Sequence, residues 1–262
     1  MALYKTLCTF RIFQNINNIF NILKDKQANR PTIQEQRLNP LGQYQTIESR
    51  VESIVRPYKG LSGAQIYKLF GKSINFNNKA RYANIAKKMI LPNGEDYYEF
   101  IAGGIQIKSV RIEANGLIKE SMSFRNVFYC DIINEDWEDS IFYSELTSKF
   151  IFMIFKALSG TKDYYFADAM VWNMPEKDLD KAQIVWEKTK QNIKKGDYEN
   201  FPKAKLNRNS TIETVAHVRP KAQDSTDLML TPQGTMEKKK CFWLNNSYIT
   251  SVLKKAKPEL FR

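Results

Sequence analysis

The sequence predicts an α/β (α+β) domain in which helices flank a central mixed sheet, preceded by an N-terminal arm. Two patterns support this prediction. Residues 46–91 show helical apolar spacing, whereas residues 105–172 contain the alternating or unbroken apolar runs that are typical of strands. The hydrophobic fraction of 43% is large enough for a real core. We therefore expect residues 1–43 to form a helix and linker arm, and residues 44–262 to form the folded domain.

The N-terminal arm combines an apolar stripe with a polar connection. Apolar side chains recur at spacings of three and four within residues 1–24, which predicts a helix. The stretch that follows is polar and contains Pro31 and Pro40, as linkers often do. The helix could pack on its own domain or bind a partner, and the sequence leaves both open.

Three helices are predicted next, each with a stop signal. Their segments are TIESRVESIVRPY, LSGAQIYKLFG and NKARYANIAKKMIL. Pro57 ends the first, Gly71 suits the C-terminal cap of the second, and Pro92 stops the third.

The middle of the chain predicts strands. GGIQIKSVRIEANGLIKESMSF contains two alternating runs around Asn115–Gly116, a dipeptide that favours a β-hairpin. NVFYCDII is interpreted as a further strand. SKFIFMIFKAL is almost entirely apolar, so we expect a strand that is buried on both faces, and YYFADAMVWNM predicts another.

The last third opens with a well-marked helix. It starts near Pro175, has acids in its first turn and lysines in its last, and stops at Gly196. VAHVRPKA predicts a short strand that leads into a proline turn. MEKKKCFWLNNSYITSVLKKA is predicted to begin with its lysines and continue as a helix.

The charge balance favours a polyanionic partner. Forty Lys and Arg residues face 28 Asp and Glu residues, for a net charge of +12 and a pI near 9.4. Nucleic acid is the commonest partner of such a protein, because each neutralised phosphate releases a condensed counterion. An anionic membrane surface is the rival interpretation.

Several classes of protein are disfavoured by the composition. The three cysteines, Cys8, Cys130 and Cys241, are widely spaced and odd in number, which does not suit a disulfide framework. One histidine, His217, is too few for most zinc sites. The sequence has no apolar run of about 18 residues and no secretory signal pattern, so we expect a cytoplasmic protein without a membrane partner.

The strand around Lys108 resembles part of a metal-dependent nuclease site. Residues two apart in a strand point to the same face, so Gln106 and Lys108 have the geometry of an acid–x–lysine pair. Magnesium usually requires carboxylate ligands, and a glutamine amide supplies no charge. Glu99 could provide one carboxylate. The alternative is an ordinary strand with an exposed lysine.

Two further segments could contact DNA. In HVRPKA, Arg219 could make a bidentate contact to guanine and Lys221 could reach a phosphate. In EKKKCFW, lysines precede Phe242 and Trp243, which suits a phosphate-contacting helix entrance with an aromatic wedge. Those lysines are Lys238, Lys239 and Lys240. The alternative is a set of solvated cations beside core aromatics.

Taken in order, GIQIKSV, NEDWEDS, HVRPKA and KKKCFWLNNSYI resemble the MutH-like endonucleases over roughly residues 47–255. That group includes type II restriction endonucleases that recognise GATC. The nearest resemblance is to the C-terminal MutH-like domain of the two-domain restriction enzymes. It implies a PD-(D/E)xK restriction-endonuclease-like fold, and a domain that binds DNA as an allosteric effector while another domain cuts.

The resemblance also implies roles for individual residues. The family's helix glutamate falls on Tyr67, its aspartate on Glu99 and its strand glutamate on Gln106, while its lysine is kept as Lys108. Arg219 and Lys221 match the Arg-Pro-Lys that approaches the GATC bases. Trp243 lies near the sequence position at which the family has a tyrosine that contacts DNA.

The resulting prediction is a catalytically degenerate DNA-binding domain that needs no cofactor. Its expected partners are double-stranded DNA containing GATC and a catalytic MutH-like domain in the same or a partner chain. The alternative is an active Mg²⁺-dependent endonuclease in which Glu99 contributes to the metal site with Gln106 and Lys108, helped by Glu120. A third hypothesis is an interaction or regulatory module whose basic face is incidental.

Overall fold

The computed structural model describes residues 46–91, 104–204 and 214–261. The predicted arm, its boundary at residue 43, and Glu99 lie outside the described residues. Seven α-helices are defined within the described ranges: α1 Ile47–Val55, α2 Gly63–Leu69, α3 Arg81–Ile90, α4 Tyr129–Ile132, α5 Ile141–Thr147, α6 Glu176–Lys195 and α7 Asn246–Ala256. The strands of the same ranges are β1 Ile105–Ile112, β2 Met122–Asn126, β3 Lys149–Ala157, β4 Tyr164–Trp172, β5 Ala216–Pro220, β6 Leu228–Leu230, β7 Met236–Lys238 and β8 Lys240–Leu244. The predicted mixed α/β class is confirmed.

Helices α1 to α3 follow the predicted segments. Pro57 lies in a 3-10 turn that directly follows α1. A capping box begins α2, in which the Ser62 hydroxyl accepts from the Gln65 backbone while the Gln65 side chain accepts from the Ser62 backbone. Gly71 takes a positive φ of 65° just after α2, as its predicted capping role requires.

The first sheet is mixed and has the order β1–β3–β4. β3 pairs in parallel with β1 and antiparallel with β4. Its central position explains its unbroken apolar sequence, since residues 150–155 are buried on both faces of the sheet. This confirms the prediction for SKFIFMIFKAL.

Two apolar clusters cover the two faces of β3. Ile151, Met153 and Phe155 pack with α1, α2 and α3. Phe150 and Phe152 point to the opposite face and join the larger cluster, which includes α6 and α7. Because paired residues of neighbouring strands point the same way, Gln106 and Lys108 lie on the face of their partners Phe150 and Phe152.

The second sheet has the order β2–β8–β5, with both pairings antiparallel. One face supplies Met122, Val218, Phe242 and Leu244 to the larger cluster. The opposite face carries Arg219 and Trp243, two of the residues that were predicted to contact DNA. A separate ribbon is formed by β6 and β7.

The predicted hairpin around Asn115–Gly116 is wrong. A turn does form there, since the Gly116 amide donates to the Glu113 carbonyl at 2.9 Å and Gly116 has a φ of 74°. However, β1 pairs with β3 and β2 pairs with β8, so the turn passes the chain from one sheet to the other. Turn chemistry is local, whereas strand pairing is decided by distant segments.

Two further predictions of secondary structure are wrong. NVFYCDII contains the short helix α4, because Tyr129 and Ile132 are buried at a helical spacing of three. The lysines at 238–240 lie in β7 and β8 and the connection between them, and the last helix begins only at Asn246. In β8, Phe242 and Leu244 face the core while Trp243 faces away, which is the period of a strand.

Within the described ranges, no helix is both long enough and apolar enough to span a bilayer.

Candidate nucleic-acid interface

The face of β5 and β8 that points away from the core displays an exposed arginine on an aromatic ring. His217 pairs with Trp243 and Arg219 pairs with Cys241, so these side chains share one face. The Arg219 guanidinium carbon lies 3.8 Å from the centroid of the Trp243 ring. This is a close cation–π contact, and it joins two residues that the sequence analysis had placed in separate motifs.

A buried histidine continues the stack behind the tryptophan. The His217 and Trp243 rings lie 6.5 Å apart between centroids and are inclined by 19°. His217 Nδ1 is 2.6 Å from Asn245 Oδ1, and the Asn245 amide nitrogen donates to the Thr214 carbonyl. Burial lowers the pKa of His217, which favours the neutral ring. From the sequence, His217 had been considered as a zinc ligand, without a link to Arg219.

Lys221 and Lys108 meet at β2. The Lys221 ammonium donates to the Phe124 carbonyl, while the Lys108 ammonium donates to the adjacent Ser123 carbonyl at 3.2 Å. Lys108 Nζ also lies 4.9 Å from the centroid of the Phe124 ring. The structure thus brings together the two lysines of the GIQIKSV and HVRPKA segments.

Lys108 is the most strongly perturbed lysine of this region. Burial lowers the pKa of Lys108 to about 8, and the positive charge of Lys221 acts in the same direction. The nearby Glu145 carboxylate opposes this shift. Lys108 therefore loses its proton at a lower pH than an ordinary surface lysine does.

Gln106 is held by a residue that the sequence analysis missed. Its side-chain amide donates to the Glu145 carbonyl at 2.7 Å. The Glu145 carboxylate is largely buried and accepts from the Arg125 backbone amide at 3.1 Å and from Arg125 Nε at 3.2 Å. A signal existed, since Glu145 lies three residues after Phe142 on the buried face of a short helix.

The described residues around Gln106 do not fit a divalent cation. Among them, no group of three or more His, Cys, Asp or Glu side chains could hold a metal ion. The Glu145 carboxylate is occupied by Arg125, and two lysine ammonium groups lie close by. Magnesium favours anionic oxygen ligands, and this donor set is dominated by cations and amides. Glu99, the remaining candidate ligand, lies outside the described residues.

Tyr67 is not part of this group. It is buried in the cluster that covers the other face of β3, and its hydroxyl donates to the Arg81 carbonyl at 3.3 Å. The strand β3 and its neighbours therefore lie between Tyr67 and the side chains of Gln106 and Lys108.

The three consecutive lysines lie in β7, in β8 and in the connection between them, so the predicted helix entrance is wrong. Their three ammonium groups also have different surroundings. Lys239 forms an ion pair with Asp227, which lies just before β6. The Lys240 ammonium donates to the Tyr198 carbonyl at 2.8 Å and lies over the Phe201 ring, on the core side of β8. Lys238 is exposed at the end of β7.

A basic cleft opens beside β1. It has a volume of about 320 Å³ and is lined by Lys87, Lys108 and Arg111, with one acid, Glu120, which pairs with Arg111. The excess of cations makes the cleft suitable for an anion rather than for a metal ion.

The chain is distantly similar to a type II restriction enzyme. No protein-family model matches the chain. The type II restriction enzyme Sau3AI of Staphylococcus aureus is 28% identical over 169 residues. This similarity covers 57% of the chain and 34% of that enzyme, so the chain spans about a third of the relative's length. The match supports a distant relationship to type II restriction enzymes.

Proposed function

We propose that this chain binds double-stranded DNA containing GATC, as the non-cleaving effector domain of a type II restriction endonuclease. In this proposal its fold is the MutH-like variant of the PD-(D/E)xK fold. The main observation in support is the exposed Arg219 guanidinium, which rests on Trp243 within reach of solvent and next to the lysine pair at β2.

Arg219 is proposed to read guanine. Its planar group can donate two hydrogen bonds to O6 and N7 in the major groove, and such a pair discriminates against a wrong base by about 1–3 kcal/mol. Lys221 follows the rigid Pro220 and is proposed to contact a phosphate, together with Lys238 and Lys239. Lys240 is tied to the core side of β8, which leaves it less suited to this role.

The absence of cleavage is proposed to follow from Gln106. Its amide donates to a main-chain carbonyl, and the charge needed to fix magnesium is missing at this position. A cutting domain must then be provided elsewhere, either in the same polypeptide or in a partner chain. The similarity to a much longer restriction enzyme supports this arrangement.

The second candidate is an active Mg²⁺-dependent endonuclease that cleaves at GATC. It is favoured by Lys108, which keeps the family's lysine and lines a cleft together with Glu120. Glu99 would have to supply a metal ligand, helped by Glu120.

Binding and cleavage assays with the same protein separate the candidates. Fluorescence anisotropy at several salt concentrations should show tighter binding to a GATC duplex than to a scrambled duplex of equal length and composition. Incubation of a GATC plasmid with Mg²⁺ or Mn²⁺ should leave it intact. Cleavage that disappears in Lys108→Ala would establish the endonuclease instead. If neither duplex binds at low salt, both candidates fail and an interaction module becomes the better hypothesis.

A further inference from the structure

We infer that Trp243 and His217 are positioning residues, which hold Arg219 in the conformation that reads DNA and do not contact the DNA themselves. This inference rests on the proposed function. It assigns to Trp243 a role different from the DNA contact that the family resemblance implies.

The indole fixes an otherwise free side chain. Arg219 is exposed on a short strand, and a long arginine side chain in water samples many rotamers. Contact at 3.8 Å with the face of Trp243 limits this freedom before DNA arrives, because the ring attracts the cation. Less conformational entropy then has to be lost when the guanidinium meets a base.

The indole is itself poorly placed to hydrogen-bond DNA. Its polar atom, Nε1, is buried and has no hydrogen-bond partner among the described residues. A donor that solvent cannot reach is also out of reach of a base edge. The ring therefore offers Arg219 its π face, and its single N–H is not available to the DNA.

Trp243 is fixed both by the strand pairing of its backbone and by the contact of its ring with His217. β8 is the middle strand of its sheet, with Trp243 paired to Ser123 on one side and His217 on the other. Because the Asn245 amide nitrogen donates to Thr214, its oxygen faces His217, which assigns the proton to Nδ1 of the neutral histidine. This hydrogen bond orients the imidazole against the indole.

A double-mutant cycle in DNA binding tests the inference. Trp243→Leu should lower the preference for the GATC duplex over the scrambled duplex by about 3- to 10-fold, as expected for loss of a cation–π contact and its ordering effect. Trp243→Phe keeps an aromatic face and should restore most of the preference. Affinity for the scrambled duplex should stay the same. In an Arg219→Ala background, Trp243→Leu should have no further effect on either duplex.

The same variants can be compared without DNA. The NMR order parameter of the Arg219 Nε–H bond should be high in the wild type and in Trp243→Phe, and should fall in Trp243→Leu. Thermal unfolding establishes that each variant is folded. Failure of the wild type to prefer GATC would refute the proposed function, whereas this order parameter would still decide whether Trp243 holds Arg219. An equal loss of affinity from Trp243→Leu with and without Arg219, or an unchanged order parameter, would overturn the inference.

Discussion

Two polar regions meet at β2, and they place their cations in opposite ways. On β5 and β8, the Arg219 guanidinium points to solvent and is supported by Trp243. On β1, Lys108 and Gln106 turn their polar groups to the Ser123 and Glu145 carbonyls. The first region keeps its hydrogen-bonding capacity for a ligand, whereas the second uses much of its capacity within the protein. This difference is the physical basis of our proposal that the first region reads DNA and that the second does not cleave it.

The largest effect is expected at Arg219. Arg219→Ala should reduce the preference for GATC by about 5- to 150-fold, which corresponds to the 1–3 kcal/mol of a bidentate arginine–guanine pair. Competition titrations with the GATC and scrambled duplexes measure this ratio. The matched control is Arg56→Ala, which removes an exposed arginine that follows α1 and should leave the ratio unchanged. If the two variants behave alike, Arg219 is not the reading residue.

The β1 region can be challenged by giving it the missing acid. Gln106→Glu replaces a donor with an acceptor 2.7 Å from the Glu145 carbonyl, so we expect the free energy of unfolding to fall by about 1–3 kcal/mol. Gln106→Ala removes the hydrogen bond without the repulsion and should cost less. Urea denaturation measures both variants. Mg²⁺-dependent cleavage by Gln106→Glu would show that β1 lacks only one carboxylate, and the contrast between the two regions would no longer hold.

A third prediction concerns the charge of Lys108. Its pKa of about 8 lies below the ordinary lysine value of about 10.4, so between these pH values the folded state has lost a proton that the unfolded state still binds. Folding stability rises with pH wherever the unfolded state binds more protons than the folded state. The stability of the wild type relative to Lys108→Met should therefore increase as the pH rises from about 8 to 10.4. Parallel curves of unfolding free energy against pH would contradict the burial of this ammonium.

The smallest effect is expected at the lysines of β7 and its connection to β8. Loss of a free phosphate contact lowers the salt dependence of binding by about one unit, equally for all sequences. Lys238→Ala should approach this value because Lys238 is exposed, whereas Lys239→Ala should fall short of it because Lys239 is paired with Asp227. Plots of log affinity against log salt concentration measure both. A larger effect for Lys239 would mean that DNA displaces Asp227.

Local sequence patterns correctly predicted the elements whose structure does not depend on which distant segment they contact. The apolar run of β3 requires burial on both faces wherever its partners lie, and α6 carries its own start and stop signals. Gly71 and Gly196 end helices by their backbone conformation alone.

Patterns that depend on distant partners were misread. Asn115–Gly116 specifies a turn, but the choice of β8 as the partner of β2 depends on residues more than a hundred positions later. The lysines before Phe242 were predicted to begin a helix, but a run of charged residues has no apolar spacing that distinguishes a helix from a strand. Glu145 could not be linked to Gln106 from spacing, since a parallel pairing of β1 with β3 brings them together.

The pairing of β2 with β8 has a consequence for the order in which the molecule is assembled. During synthesis, β2 is complete at Asn126, but its partner ends at Leu244, so the strand must wait for more than a hundred further residues to leave the ribosome. The mixed sheet can close much earlier, once β4 has emerged at Trp172. Contacts between distant segments form slowly, because a long loop must be closed before they can form. A nascent chain stalled before β8 would therefore expose the apolar face of β2, and such a chain is a natural substrate for chaperones.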